Sequence, residues 1–277
     1  MSDIRSILLH ADATAGSATR LEIASGLAAR HGARVTALFG ATSDSDESSF
    51  AYSAGAALAA RATDWNTPAH DAARASLQQR CLGEGAEVAW FDVVGDSLAH
   101  GFIAEAAYAD LLVVGQQSAG EPEAGAAPAG FVESVILESG KPTLVVPRDA
   151  RSDAVGERVL VAWNGSAQAA RAVTGALPLL RHAEQVHVAT WSRQPVAARF
   201  SGIDIGEFLR RHGISAVIHP RAASLHVGAE LAALALALHA NLVVMGCYGR
   251  SRISERMLGG ASRSLLATMP VPVLMAH

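Results

Sequence analysis

Lysine is almost missing from this sequence of 277 residues: Lys141 is the sole lysine among 22 basic residues. With so much alanine and arginine, that scarcity reads as the codon bias of a GC-rich genome rather than a functional choice. The 26 acidic residues outweigh the basic ones and give a formal net charge of −4, so no basic footprint points to nucleic acid. Cysteine is nearly absent as well. Cys81 and Cys247 stand far apart, which excludes a disulfide framework and suits a reducing compartment. There is no long uninterrupted apolar run. The best candidate, "LAALALALHANLVVMG" (231–246), carries His239 and Asn241 and reads as a helix followed by a strand. The opening "MSDIRSILLHAD" reads as neither a signal peptide nor a membrane span. A membrane partner is therefore not expected, and a cytoplasmic location is.

Two familiar phosphate loops are missing too. A Walker A loop needs a glycine five residues before Gly-Lys and a hydroxyl residue after it. Around Lys141 those places hold Val135 and Pro142. A dinucleotide fingerprint needs G-x-G-x-x-G directly after the first strand, and neither "HADATAG" nor "WNGSAQA" supplies it.

What is present is enough apolar chain for a sizeable core, 50% hydrophobic and 17% charged, and a repeat. The stretch 5–39 resembles 158–191: an apolar run ending in Asp12 or Asn164, a turn of small residues, an Ala/Leu-rich helical segment and a second apolar run. Stretch 96–117 parallels 224–249, each a helix feeding a strand that ends in Gly115 or Gly246. "KPTLVVP" parallels "VPVLMAH" as closing strands. Short Val/Leu-rich strands alternating with helices predict parallel sheets covered on both faces. The expected fold class is α/β: two tandem doubly wound domains, each with a five-stranded parallel sheet flanked by helices. The domains are expected at 1–149 and 156–277, with the boundary in the charged stretch 147–158.

In such sheets ligands sit beyond the carboxyl ends of the strands. Asn164, Gly165 and Ser166 end one strand, Trp191 ends the next, and Gly246 opens a loop that continues through Gly249, Arg250, Gly259, Gly260, Ala261 and Ser262. Four glycines in "VVMGCYGRSRISERMLGGASRSLL" (243–266) suit a loop whose amides face an anion at a helix N-terminus. The bland readings are a long connection, a turn with an N-cap at 164–166, and solvated Arg250 and Arg252.

The spacing Gly246-x2-Gly249-x9-Gly259, the "VPVL" ending and the strand closing on Asn164-Gly165-Ser166 resemble the ATP-binding pattern of the universal stress protein family, over essentially the whole chain as a tandem pair. The resemblance implies an adenine nucleotide alpha hydrolase-like fold, with adenine and ribose near the first two strand ends and phosphates on the glycine loop. Gly246, Gly249, Gly259, Gly260 and Ser262 would hold phosphate, and Asn164 would stand where Asp is usual. Gly260 replaces a common hydroxyl residue. The implied cofactor is ATP, with or without magnesium. The family also implies an intramolecular pseudo-dimer through the closing strands 143–147 and 272–276, and it allows a homodimer.

The first repeat departs further. Ser118 stands where the second glycine belongs, and Phe131 and Glu133 take the positions that would face phosphate. That half is expected not to bind a triphosphate, and Asp12 reads there as a turn or cap residue. Trp191 is either packing or an adenine stacker. Cys247, in the loop, reads as an exposed bystander thiol. The histidines, taken in sequence neighbours such as His182 with His187 or His219 with His226, give no metal spacing, so no metal site is expected. The function expected is non-catalytic adenine nucleotide binding in stress resistance. The alternatives are a nucleotide-independent interaction protein and a slow ATPase, with Glu255 as the one carboxylate inside the loop.

Overall fold

The computed structural model describes residues 3–40, 68–81, 87–93, 97–117, 125–150, 155–191, 203–222, 226–247, 266 and 268–277. The first repeat runs β1 (Ser6–Ala11), α1 (Gly16–His31), β2 (Arg34–Phe39), α2 (Pro68–Cys81), β3 (Val88–Asp92), α3 (Leu98–Ala106), β4 (Leu111–Gly115), α4 (Phe131–Glu138) and β5 (Thr143–Val146). The second runs β6 (Arg158–Trp163), α5 (Ala167–His182), β7 (Gln185–Trp191), α6 (Ile205–Arg211), β8 (Ala216–Arg221), α7 (Val227–Ala237), β9 (Leu242–Gly246) and β10 (Val273–Ala276). Each repeat therefore supplies five strands.

The chain divides into two compact units, Ile4–Ser139 and a second made of Gly140–His277 with Met1–Asp3. In the first, four parallel strands lie in the order β3-β2-β1-β4. In the second, six lie in the order β5-β10-β9-β6-β7-β8. Five of these are parallel, and β5 runs antiparallel to β10 with Val145 opposite Val273 and Leu144 opposite Leu274. The α/β character and the parallel strands follow the sequence pattern. The pairing of β5 with β10 is the reason the division falls ahead of β5, so the last strand of the first repeat belongs to the second unit.

The central strands show why these segments are strands. Leu111–Val114, Leu144–Val146, Val159–Val161 and Leu242–Val244 are all nearly inaccessible to solvent. A segment covered on both faces needs no alternation of polar residues. Three helices begin at a capping side chain. Ser97 accepts a bond from the His100 amide, Ser166 from Ala169 and Asp204 from Glu207. Helix α1 ends on Gly32 in the left-handed conformation, φ 63°, which glycine adopts without a Cβ clash.

One device recurs in both repeats and fixes the register of the central pair. Just before β4, Asp110 Oδ2 accepts from the amides of Arg5 and Ser6 at 2.8 and 3.0 Å, while its own amide donates to the Ser6 carbonyl. Just before β9, Asn241 Oδ1 accepts from Gly156 and Arg158 at 3.1 and 3.0 Å, and its amide donates to the Arg158 carbonyl. The same oxygen thus clasps the start of the first strand in each repeat. Replacing Asn241 with Ala strands two backbone donors and is expected to destabilise the protein by about 1–3 kcal/mol. Asn241→Asp keeps the acceptor and should recover most of that loss. Urea unfolding curves of the two variants provide the measurement.

Candidate functional site

Strand order reverses between β1 and β4 in the first unit, and between β6 and β9 in the second. At such a reversal the helices leave the central pair on opposite faces, and a crevice opens beyond the carboxyl ends. Asp12 and Gly115 border the first crevice, and Asn164 and Gly246 the second. The two are finished in opposite ways.

In the second unit the described part of the rim is exposed. Asn164 and Gly165 are exposed and Ser166 is half-exposed. Asn164 Oδ1 accepts from the Ser166 amide at 3.0 Å, and Gly165 takes φ 75°, a tight turn that only glycine makes without strain. Ser166 caps α5, its Oγ accepting from the Ala169 amide at 3.1 Å. The turn-and-cap reading is therefore realised at 164–166. The Asn164 oxygen and the Ser166 hydroxyl are engaged in it, and the Asn164 amide group remains as a donor. Gly246 has a packing role that the sequence did not reveal. A Cβ there would lie 2.3 Å from the Ala169 nitrogen and 2.4 Å from the Gln168 carbonyl carbon, so β9 ends directly against the first turn of α5. Trp191 is tethered, its Nε1 donating to Glu230 Oε2 at 3.0 Å. Gly249, Arg250, Gly259, Gly260, Ala261 and Ser262 lie outside the described residues. So do Arg252 and Glu255.

Cys247 corrects an expectation. It is buried, with its thiol donating to the Ala276 carbonyl at 3.4 Å. The loop has not yet left the sheet at this point, because the Cys247 amide still bonds the same carbonyl of β10.

In the first unit the crevice is filled. Arg20 reaches from α1 so that Nη2 lies 2.7 Å from Asp12 Oδ1, both side chains about 95% buried. Its Nε donates to the His10 carbonyl at 3.1 Å. Gly115 exists to admit this guanidinium, since a Cβ there would lie 2.3 Å from Nη1. Asp12 Oδ1 also accepts from the Thr14 amide and hydroxyl, at 3.0 and 2.6 Å. Asp12 is therefore a turn residue, as expected, and also half of a buried ion pair that was not expected. The missed signal lies in α1, where Ser17, Arg20, Leu21, Ala24 and Ala28 share one face at helical spacing. An arginine on that face must be buried and needs a partner.

The rest of that crevice is closed by the chain itself. Gln117 donates to the Pro128 carbonyl at 2.6 Å and accepts from the Gly130 amide at 3.1 Å, drawing 125–130 back towards β4. Gly125, at φ 77°, lies so near Ala13 that a Cβ would sit 2.9 Å from the Ala13 Cβ. Phe131 is also corrected. It does not face a phosphate position but is buried, 4.7 Å from the His10 ring and 5.5 Å from Phe102 between ring centroids.

His10, enclosed by these rings, is neutral. Burial lowers its pKa to about 4, Asp12 pulling it up and Arg20 pushing it down, while its Nε2 bonds the Gly40 carbonyl at 2.9 Å. Burial alone would raise the Asp12 pKa, but Arg20, His10 and the Thr14 hydrogen bond together hold it below the ordinary carboxylate range.

With this geometry in hand, the comparisons are specific. The fold is that of a doubly wound α/β protein with its crevice at the reversal of strand order. Residues 209–277 match the family model described as the universal stress protein family. The whole chain is similar in fold to a universal stress protein from Archaeoglobus fulgidus DSM 4304, at TM-score 0.72 and 19% identity over 98% of this chain and 97% of that one. It is also similar to a putative universal stress protein from Pseudomonas aeruginosa UCBPP-PA14, at TM-score 0.62 and 17% identity over 99% and 93%. No curated protein matches the sequence. Residues 209–277 are thus similar to the universal stress protein family, and the chain as a whole shares its fold with these solved structures. Among the described residues no helix is long and apolar enough to cross a membrane.

Two outcomes follow from the filled crevice. Arg20→Leu leaves Asp12 buried without its counter-charge and is expected to destabilise the protein by about 3–5 kcal/mol, measured by urea unfolding. Acid should act through His10. Between pH 6.5 and about 4 the unfolded chain binds a proton at this residue and the folded chain does not, so stability falls as pH falls through that window. Asp12 adds its own loss at lower pH still, as it protonates in the folded state. The pH dependence of the thermal midpoint should flatten over that interval in His10→Leu.

Proposed function

We propose that this protein is a non-catalytic adenine nucleotide-binding protein acting in stress resistance in the cytoplasm, with ATP held in the second crevice. The observation that carries this reading is the contrast between the two crevices. The first is occupied by the Asp12–Arg20 pair and overlaid at Ala13 by 125–130. The second keeps an exposed rim at Asn164 and Gly165, beside the N-terminus of α5 and the strand end from which the glycine loop departs. Backbone amides at a helix start and a positive dipole end suit phosphate. In the proposed complex, Gly249, Gly259, Gly260, Ala261 and Ser262 would hold the phosphates, and magnesium, where present, would neutralise part of their charge. The Asn164 amide group donates to the ribose or base, and Trp191 borders the base.

A second reading is favoured by a specific observation. The Asn164 oxygen and the Ser166 hydroxyl are already engaged locally, and packing against α5 alone accounts for Gly246. On this reading the site binds no nucleotide, and the fold serves as a platform for protein partners.

Calorimetric titration with ATP and magnesium separates the two. Saturable binding by wild type, lost in Gly249→Val and retained in Ala13→Ser at the first crevice, is the expected result. Absence of binding at millimolar ATP, with no nucleotide released from freshly purified and denatured protein, would leave the platform reading. Turnover of ATP that disappears in Glu255→Gln would overturn the non-catalytic part.

A further inference from the structure

Histidines that the sequence spreads apart meet on the second unit's sheet. His187 on β7 and His219 on β8 are 32 residues apart in sequence, yet His187 Nδ1 lies 3.0 Å from His219 Nε2. In the parallel register His187 is opposite Val217 and Ala189 is opposite His219. The two imidazoles are therefore diagonal neighbours on one face. Their ring centroids are 5.1 Å apart, and both residues are half-buried. The backbone of two paired strands fixes the spacing before any ligand arrives.

We propose that His187 and His219 form a two-histidine chelate for a late first-row divalent cation such as Zn²⁺ or Ni²⁺. Metal–imidazole bonds of about 2.0–2.1 Å place two ligating nitrogens roughly 2.9 Å apart at a right angle and roughly 3.4 Å apart at a tetrahedral angle. The observed 3.0 Å lies inside that interval. Imidazole is a favoured ligand for these ions. Binding replaces the single N–H···N hydrogen bond of the pair: the facing proton moves to the far nitrogen of the same ring, and both facing lone pairs go to the metal. No cluster of three or more ligand residues suited to a metal occurs among the described residues. Water completes the coordination shell, and the chelate is of moderate affinity. It does not rest on the proposed function.

The test uses the full chain after EDTA treatment and dialysis, titrated calorimetrically with ZnCl2 and then NiCl2 at pH 7.5. One site per chain is expected. His187→Gln and His219→Gln should each weaken it roughly a hundredfold, because a preformed pair makes the second contact intramolecular. His226→Gln should titrate as wild type. A variant-free measurement guards against misfolding: Zn²⁺ should protect His187 and His219 together from diethylpyrocarbonate, read by peptide mass spectrometry. Wild-type titration in both glutamine variants, absence of binding at millimolar Zn²⁺ and Ni²⁺, or unchanged modification of the two histidines would each overturn the proposal.

Discussion

Strands β1 and β6 are the fixed points of the molecule, because each must be buried on both faces while two strands that follow it in sequence pair along its opposite edges. This constraint explains the apolar runs that read as strands. It explains the clasp by Asp110 and by Asn241, which pins the start of the central strand to the start of its later neighbour. It also creates a vacancy. Where strand order reverses, no helix covers the carboxyl end of the central pair, and the chain must either fill the space or leave it for something else. Every distinctive residue at the tips of β1, β4, β6 and β9 responds to that choice.

The glycines that end β4 and β9 show how differently one repeat position can be used. Gly115 makes room for a guanidinium, and Gly246 makes room for the backbone of a helix. A long cation inserted at the first tip needs an anion beside it. Asp12 supplies one, and the loss of hydration is offset by a contact of 2.7 Å and by bonds from Thr14. At the second tip the helix comes close instead, its Gln168 and Ala169 backbone lying against Gly246.

The repeat and the parallel strands are legible in the sequence because they rest on periodicity and on single residue types at fixed places. Val-Leu runs, Gly115 against Gly246, and Asp12 against Asn164 are local signals. What the sequence reading missed depends on contacts across the fold. Gly246 resembled a phosphate glycine because spacing cannot distinguish close approach to a ligand from close approach to a helix. Cys247 looked like a loop residue because the end of β10, nearly thirty residues on, supplies its cover. The partner of β5 was inferred from the family and not from the pattern, since an antiparallel neighbour leaves no trace in a fully buried strand. Phe131 was placed by alignment to a phosphate loop, yet an aromatic at the start of α4 is drawn into the core by His10 and Phe102.

The exchange of Asp12 for Asn164 acquires a physical meaning from this comparison. A carboxylate at the tip of the central strand is tolerable where a buried cation neutralises it, and Arg20 does so in the first repeat. In the second repeat the α5 residues against Gly246 are Gln168 and Ala169, and Arg171, at the same place in its helix as Arg20, is exposed. A carboxylate at 164 would then have no buried cation among the described residues of α5 and would stand close to where a phosphate would bind in the proposed complex. It would gain from the helix dipole and repel the ligand in the same place. Asparagine keeps the oxygen that closes the turn onto Ser166, removes the charge, and adds a donor. Among the described residues, the charge at the first tip thus goes with the buried Arg20 beside Asp12, whereas at the second tip an uncharged side chain closes the same kind of turn.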